Sequence, residues 1–128
     1  MIKFGLVGIG KWGKILKKNL EQVGKIVFIS NSKKSYKVKK KIDICFIASS
    51  DISHYKIVKY FLTKKIPVFC EKPLTRDLPK SRELIALSEK LNIPLFIDHI
   101  ELFKKKNLKI KKINKIKRKK KSNDSIKD

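Results

Sequence analysis

Near the start of the chain an apolar run closes on glycine: Ile2 to Val7 leads into Gly8-Ile9-Gly10-Lys11-Trp12-Gly13. The apolar residues that follow, Ile15, Leu16, Leu20 and Val23, are spaced for one face of a helix that closes at Gly24. A buried strand, a turn with three spaced glycines and an amphipathic helix in direct succession leave few folds open. In such a unit the first glycine allows the tight turn, the second lets an outside group approach the backbone, and the third lets the helix lie close on its strand.

The rest of the chain repeats the alternation. Lys25 to Ile29 reads as a second strand, Asp43 to Ala48 as a third, Pro67 to Cys70 as a fourth and Pro94 to Ile97 as a fifth. Tyr55, Val58, Phe61 and Leu62 give a helix between the third and fourth strands, with Ser53 as its cap. Asp77 and Pro79 open another helix, with Leu84, Leu87 and Leu91 on one face, which gives way at Asn92. Ser30 to Lys41 is polar, rich in lysine and too short for a usual helix-and-strand pair, so the connection there is abbreviated. Five strands separated by helices predict an α/β fold, a doubly wound parallel sheet of Rossmann type in one domain, with strand order 2-1-3-4-5 and its switch point between strands 1 and 3.

The glycine turn then sits at that switch point. The free amides of a helix start, with about half a positive charge from the macrodipole, favour a diphosphate there. Gly8, Ile9, Gly10, Lys11, Trp12 and Gly13 are therefore the expected cradle of a dinucleotide. A carboxylate about twenty residues beyond the glycines would bind the ribose diol of NAD. This chain instead reads Ser30-Asn31-Ser32-Lys33-Lys34, small donors followed by cations. Ser30, Asn31, Ser32 and Lys33 suit a 2′-phosphate, which favours NADP as cofactor, with NAD as second choice.

Composition narrows the setting. With 128 residues, 41% of them apolar, the chain has the length of one domain and a core that needs no crosslinks. Cys45 and Cys70 both fall in apolar runs and read as buried thiols, with no Cys-x-x-Cys spacing or histidine pair for a metal. No apolar run approaches the roughly 20 residues of a membrane helix, and no secretory leader is recognised at the start, so a cytoplasmic protein without membrane association is expected. The net charge is +23, and Lys104 to Asp128 contains thirteen basic against two acidic residues. The excess is lysine, accompanied by Ile and Asn; arginine and aromatic groups, which read phosphates and bases best, are scarce in that stretch. Nucleic-acid binding through the tail is accordingly the least favoured use of the charge.

Three ordered segments resemble one family. Val7-Gly8-Ile9-Gly10-Lys11-Trp12-Gly13, then Asp43-Ile44-Cys45-Phe46-Ile47-Ala48-Ser49-Ser50 with His54 after it, then Val68-Phe69-Cys70-Glu71-Lys72-Pro73-Leu74 look like the N-terminal half of the glucose-fructose oxidoreductase and inositol dehydrogenase (Gfo/Idh/MocA) family. The Glu71-Lys72-Pro73 triplet at a strand end is the most specific mark. The resemblance implies an NAD(P)-dependent oxidoreductase acting on sugars, polyols or nucleotide sugars. It implies that Ser49, Ser50 and His54 border the cofactor channel. It also implies that Lys72, before a cis bond to Pro73, reaches the nicotinamide side and the reacting hydroxyl. An ammonium beyond the carboxyl end of a buried strand is also where a doubly wound fold binds ligands, so Lys72 is the expected catalytic residue on both counts. His99, beside Asp98, is a weaker candidate.

The resemblance covers Met1 to about Phe103, so we expect a dinucleotide-binding domain over 1–103 and a lysine-rich, partly disordered tail over 104–128. In that tail Leu108, Ile110, Ile113 and Ile116 suffice for one short amphipathic element. Family enzymes continue into a second domain that binds the substrate, and the tail is too short to form one. Ile100, Leu102 and Phe103 then predict an apolar edge in the 98–103 region that is covered by a second copy or by a separate substrate-domain subunit. Three uses follow: the cofactor-binding portion of a sugar-type oxidoreductase, a non-catalytic dinucleotide-binding module that self-associates, or a basic nucleic-acid binder.

Overall fold

The computed structural model describes residues 1–31 and 35–98. Its elements are β1 (Ile2–Val7), α1 (Lys11–Leu20), β2 (Gly24–Ser30), β3 (Ile44–Ile47), α2 (Asp51–Thr63), β4 (Val68–Glu71), α3 (Leu78–Leu91) and β5 (Leu95–Asp98). The five strands pair in parallel in the order β2-β1-β3-β4-β5, as the alternation predicts.

Strands β3 and β4 are buried at every position, because successive side chains leave a strand on opposite faces and both faces are covered here. On one face Phe4, Leu6, Phe46 and Phe69 pack with Leu16 and Leu20 of α1. The rings of Phe4 and Phe46 meet edge to face at 5.6 Å. On the other face Val7, Cys45, Ile47, Val68 and Cys70 pack with Ile57, Val58, Phe61 and Leu62 of α2 and Leu84 of α3. Each fully buried aliphatic or phenyl side chain contributes about 1.5–3 kcal/mol, so this two-sided core is what holds the strand ends, and the site they carry, in place.

Three details differ from the sequence expectation. Helix α1 stops at Leu20, and Ile15 and Val23 are exposed rather than facing the sheet with Leu16 and Leu20. Gly24 does not close α1 but starts β2 opposite Ile2, where a Cβ would meet the Ile2 carbonyl and the Phe4 ring. Ser50, not Ser53, precedes the first turn of α2; the Ser53 hydroxyl lies inside that turn and donates to the Ser50 carbonyl at 2.7 Å. Helix α3 begins and ends as predicted: the Asp77 carboxylate accepts from the Lys80 amide, Pro79 lies in the first turn, and Asn92 closes the helix in the left-handed conformation.

The abbreviated connection between β2 and β3 contains no helix among its described residues. Tyr36 and Val38 lie against the α2 side of the core. The Val38 amide donates to the Tyr60 hydroxyl at 2.9 Å, and the Tyr36 and Tyr60 rings meet edge to face at 5.4 Å. A strap thus does what a crossover helix does elsewhere, closing the core and delivering Asp43, whose amide donates to the Lys3 carbonyl and whose carboxylate accepts from the Lys3 amide. No helix among the described residues is long and apolar enough to cross a membrane.

Candidate functional site

The carboxyl ends of β1, β2, β3 and β4 point the same way, and nearly all the predicted site residues stand there. At the end of β1 the chain turns at Gly8, with φ +113, a backbone conformation that side chains other than hydrogen rarely adopt. A Cβ there would lie 2.5 Å from the Ala48 carbonyl carbon and 2.6 Å from the Ser49 nitrogen. The Gly8 amide donates to the Ser30 carbonyl at 2.8 Å, and the Ala48 amide to the Val7 carbonyl at 2.7 Å. The turn is therefore fastened on both sides, to β2 and to the segment that follows β3.

Gly10 is the N-cap of α1, with no side-chain cap bond and no acidic residue in the first turn. Nothing lies within 4 Å of a Cβ built on it. The helix start therefore opens onto space, with its first amides not capped by a side chain, which is the arrangement that receives an anion. Gly13 is the glycine that lets the helix pack closely, since a Cβ there would overlap the Gly8 carbonyl oxygen. Ile9, Lys11 and Trp12 are exposed around the turn.

At the end of β2, Ser30 is buried and its hydroxyl donates to the Ser35 carbonyl at 2.7 Å, drawing the loop closed, while Asn31 is half-buried. Ser32, Lys33 and Lys34 lie outside the described residues, as do His99, the part of the 98–103 region beyond Asp98, and the tail over 104–128.

Beyond β3, Ser49 is half-buried and Ser50 exposed; the hydroxyl oxygens of Ser49 and Ser53 lie 2.9 Å apart. Glu71, the last residue of β4, is buried, while beyond it Lys72 and Pro73 are exposed, and the Lys72–Pro73 peptide is cis. Strands β1 and β4 are both neighbours of β3, so the strands that lead into the glycine turn and into Lys72 run roughly 10 Å apart, twice the spacing of paired strands. His54, in the first turn of α2, is 2% exposed. Its Nδ1 lies 2.9 Å from the Pro73 carbonyl oxygen and 3.1 Å from that of Leu74, and its Nε2 lies 2.9 Å from that of Ser49.

Sequence reasoning misses one charged pair at this edge. Arg76 Nε donates to the Asp51 carboxylate at 2.7 Å, and this bond holds the Asp51 carboxyl below the usual carboxylate range. An acidic residue directly after Ser50 is itself a helix-start signal, so Asp51 is readable from the sequence, while its partner 25 residues on is not. The thiols of Cys45 and Cys70 are fully buried and pushed up by that burial, which makes them core groups rather than nucleophiles.

The chain is similar to known proteins over this same unit. The family model GFO_IDH_MocA, described as an oxidoreductase family with an NAD-binding Rossmann fold, matches residues 18–99. The glycine turn lies ahead of that segment. A myo-inositol dehydrogenase, Hyg17, of Streptomyces leeuwenhoekii is 31% identical over 55 residues, which is 43% of this chain and 17% of that protein. A probable dehydrogenase from Thermotoga maritima superposes with a TM-score of 0.69 at 26% identity, over 76% of this chain and 36% of that one. An oxidoreductase from Agrobacterium radiobacter, solved with NAD+, L-tartaric acid and magnesium, shares the fold with a TM-score of 0.66 at 18% identity, over 75% of this chain and 34% of its own. The chain thus spans about a third of the length of these solved structures.

Proposed function

This chain belongs to the Gfo/Idh/MocA oxidoreductase family with its NAD-binding Rossmann fold, and from that premise we propose that it forms the dinucleotide-binding part of a dehydrogenase acting on a hydroxyl of a sugar, polyol or nucleotide sugar. The observation that carries the proposal is Gly10: an N-cap without a side-chain bond, with open space where a Cβ would stand, directly after a turn fastened to β2 and to the segment that follows β3. Those residues fit a diphosphate. The amides of Lys11, Trp12 and Gly13 would hold it, with Gly8 and Ile9 shaping the approach. Ser49 and Ser50 would border the channel from adenine to nicotinamide, and Glu71, Lys72 and Pro73 its nicotinamide end.

The bound dinucleotide supplies the hydride acceptor. Lys72, exposed beyond β4, orients the substrate hydroxyl and shares in moving its proton. Hydride transfer further needs the substrate carbon held against the ring. We assign that role to a second copy or to a separate substrate-binding unit docking near residues 98–103. Sedimentation of the purified chain at micromolar concentration checks this: a strict monomer with no partner co-purifying overturns it.

Cofactor choice rests on the end of β2, where Asn31, Ser32 and Lys33 offer donors and a cation and no carboxylate, while the hydroxyl of the buried Ser30 is already given to the Ser35 carbonyl. We place NADP ahead of NAD on that basis, with roughly tenfold tighter binding expected from one charge-assisted hydrogen bond. Calorimetric titration of the full chain with NADPH and NADH is the test. Equal affinities, or a preference for NADH, overturn the cofactor choice; binding of neither overturns the dinucleotide reading. Trp12, the one tryptophan of the chain, stands in the glycine turn and gives a second readout, quenching by energy transfer to the reduced nicotinamide.

A further inference from the structure

We infer that His54 is a positioning residue that fixes the Lys72 segment against the segment following β3, and through it against the glycine turn; the inference rests on the dinucleotide reading above. The ladder between β3 and β4 ends at the pair Ile47 and Cys70. Beyond that pair β3 ends and β4 continues only through Glu71, and the two loops that follow carry Ser49 on one side and Lys72 on the other. The imidazole bridges them. One ring nitrogen meets the Ser49 carbonyl, and the other meets the carbonyls of Pro73 and Leu74.

At 2% exposure the ring is enclosed, so it acts from beneath the site rather than on a ligand. All three partners are carbonyl oxygens, which only accept, so the ring ties the position of Pro73 to that of Ser49 by hydrogen bonds on both sides when each of its nitrogens carries hydrogen, and a single tautomer donates to one loop while packing against the other. Ser49 is tied in turn to Gly8, whose missing Cβ leaves the space that the Ala48 and Ser49 backbone occupies. A continuous line of contacts therefore runs from the diphosphate turn to the residue directly after Lys72. It holds the two ends of the cofactor site in one register.

The test uses the full chain, with His54→Leu removing the hydrogen bonds of the ring and His54→Gln restoring a donor. NADH and ADP-ribose share the adenosine diphosphate and differ at the nicotinamide end. We expect His54→Leu to weaken NADH roughly tenfold while ADP-ribose stays within about twofold, and His54→Gln to recover part of the loss. Without ligand, we expect faster backbone amide exchange at Leu74 and Thr75 in His54→Leu. Equal weakening of both ligands, no change in either, or unchanged exchange overturns the inference. If His54→Leu does not fold, the same comparison made with His54→Gln decides it. An unmutated chain that binds neither ligand refutes the dinucleotide reading, and the exchange measurement still decides the clamp.

Discussion

Gly13 lies so close to Gly8 that a methyl group on it would overlap the Gly8 carbonyl oxygen. The start of α1 is therefore seated on the turn that it serves, and the turn is seated on the segment after β3. Substitution should separate the three glycines. Gly13→Ala forces the helix off the turn. Gly8→Ala meets the Ala48 and Ser49 backbone at a φ of +113 and is expected to cost on the order of 1–3 kcal/mol from the backbone conformation alone, more with the clash. The Cβ of Gly10→Val meets nothing within 4 Å, and the substitution should cost no more than about 1 kcal/mol, as a poorer N-cap. Urea unfolding with dinucleotide titration checks the order: Gly10→Val keeps its fold and loses binding, the other two lose stability first.

The strap between β2 and β3 depends on one hydroxyl. Tyr60→Phe leaves the ring against Tyr36 but removes the acceptor of the Val38 amide. We expect a loss of about 1 kcal/mol, seen as a lower urea midpoint with an unchanged slope. A midpoint equal to that of the parent chain shows that water replaces the hydroxyl.

Both cysteines should be silent in the folded chain. Burial raises their thiols well above the ordinary value, and the thiolate is the form that reacts. Iodoacetamide at mildly alkaline pH, read by mass spectrometry, is expected to label neither Cys45 nor Cys70 in the native protein and both in denaturant. Cys45→Ser places a hydroxyl in an apolar site and is expected to cost about 1–3 kcal/mol.

Acid should loosen the surface ties of α2 before the core. The Asp51 carboxyl is lowered from its ordinary 3.8 by the hydrogen bond from Arg76, and Glu83 from 4.5 by the bond from Tyr55. A lowered carboxyl contributes stability that is complete above its ordinary value and is lost as pH falls through the lower folded value. The expected result is a melting temperature that declines as pH drops below these values, with a shallower decline in Asp51→Asn. Both pairs are solvent-exposed in part, so high salt should reduce the difference between the two proteins.

Much of this is legible in the chain. The alternation of apolar runs indicates the five strands and their order, and Asp77, Pro79 and Asn92 mark the ends of α3, because these signals act within a few residues of themselves. The turn is legible from spacing alone. The strap is not: Tyr36 and Val38 follow no period, and their partner Tyr60 lies 22 residues beyond Val38. Ser50 and Ser53 offer the same hydroxyl as a cap for α2, and only the fold of the preceding segment decides that Ser50 is the one before the first turn.

His54 shows the division most clearly. Sequence established that a histidine stands shortly after β3 and that a lysine and a proline stand at the end of β4, since side-chain identity and local periodicity are written in the residues themselves. Tertiary structure alone decided that the ring is enclosed and bridges two loops, because its partners are backbone carbonyl oxygens. Every residue carries one, so no pattern of residue types marks the three that the imidazole meets.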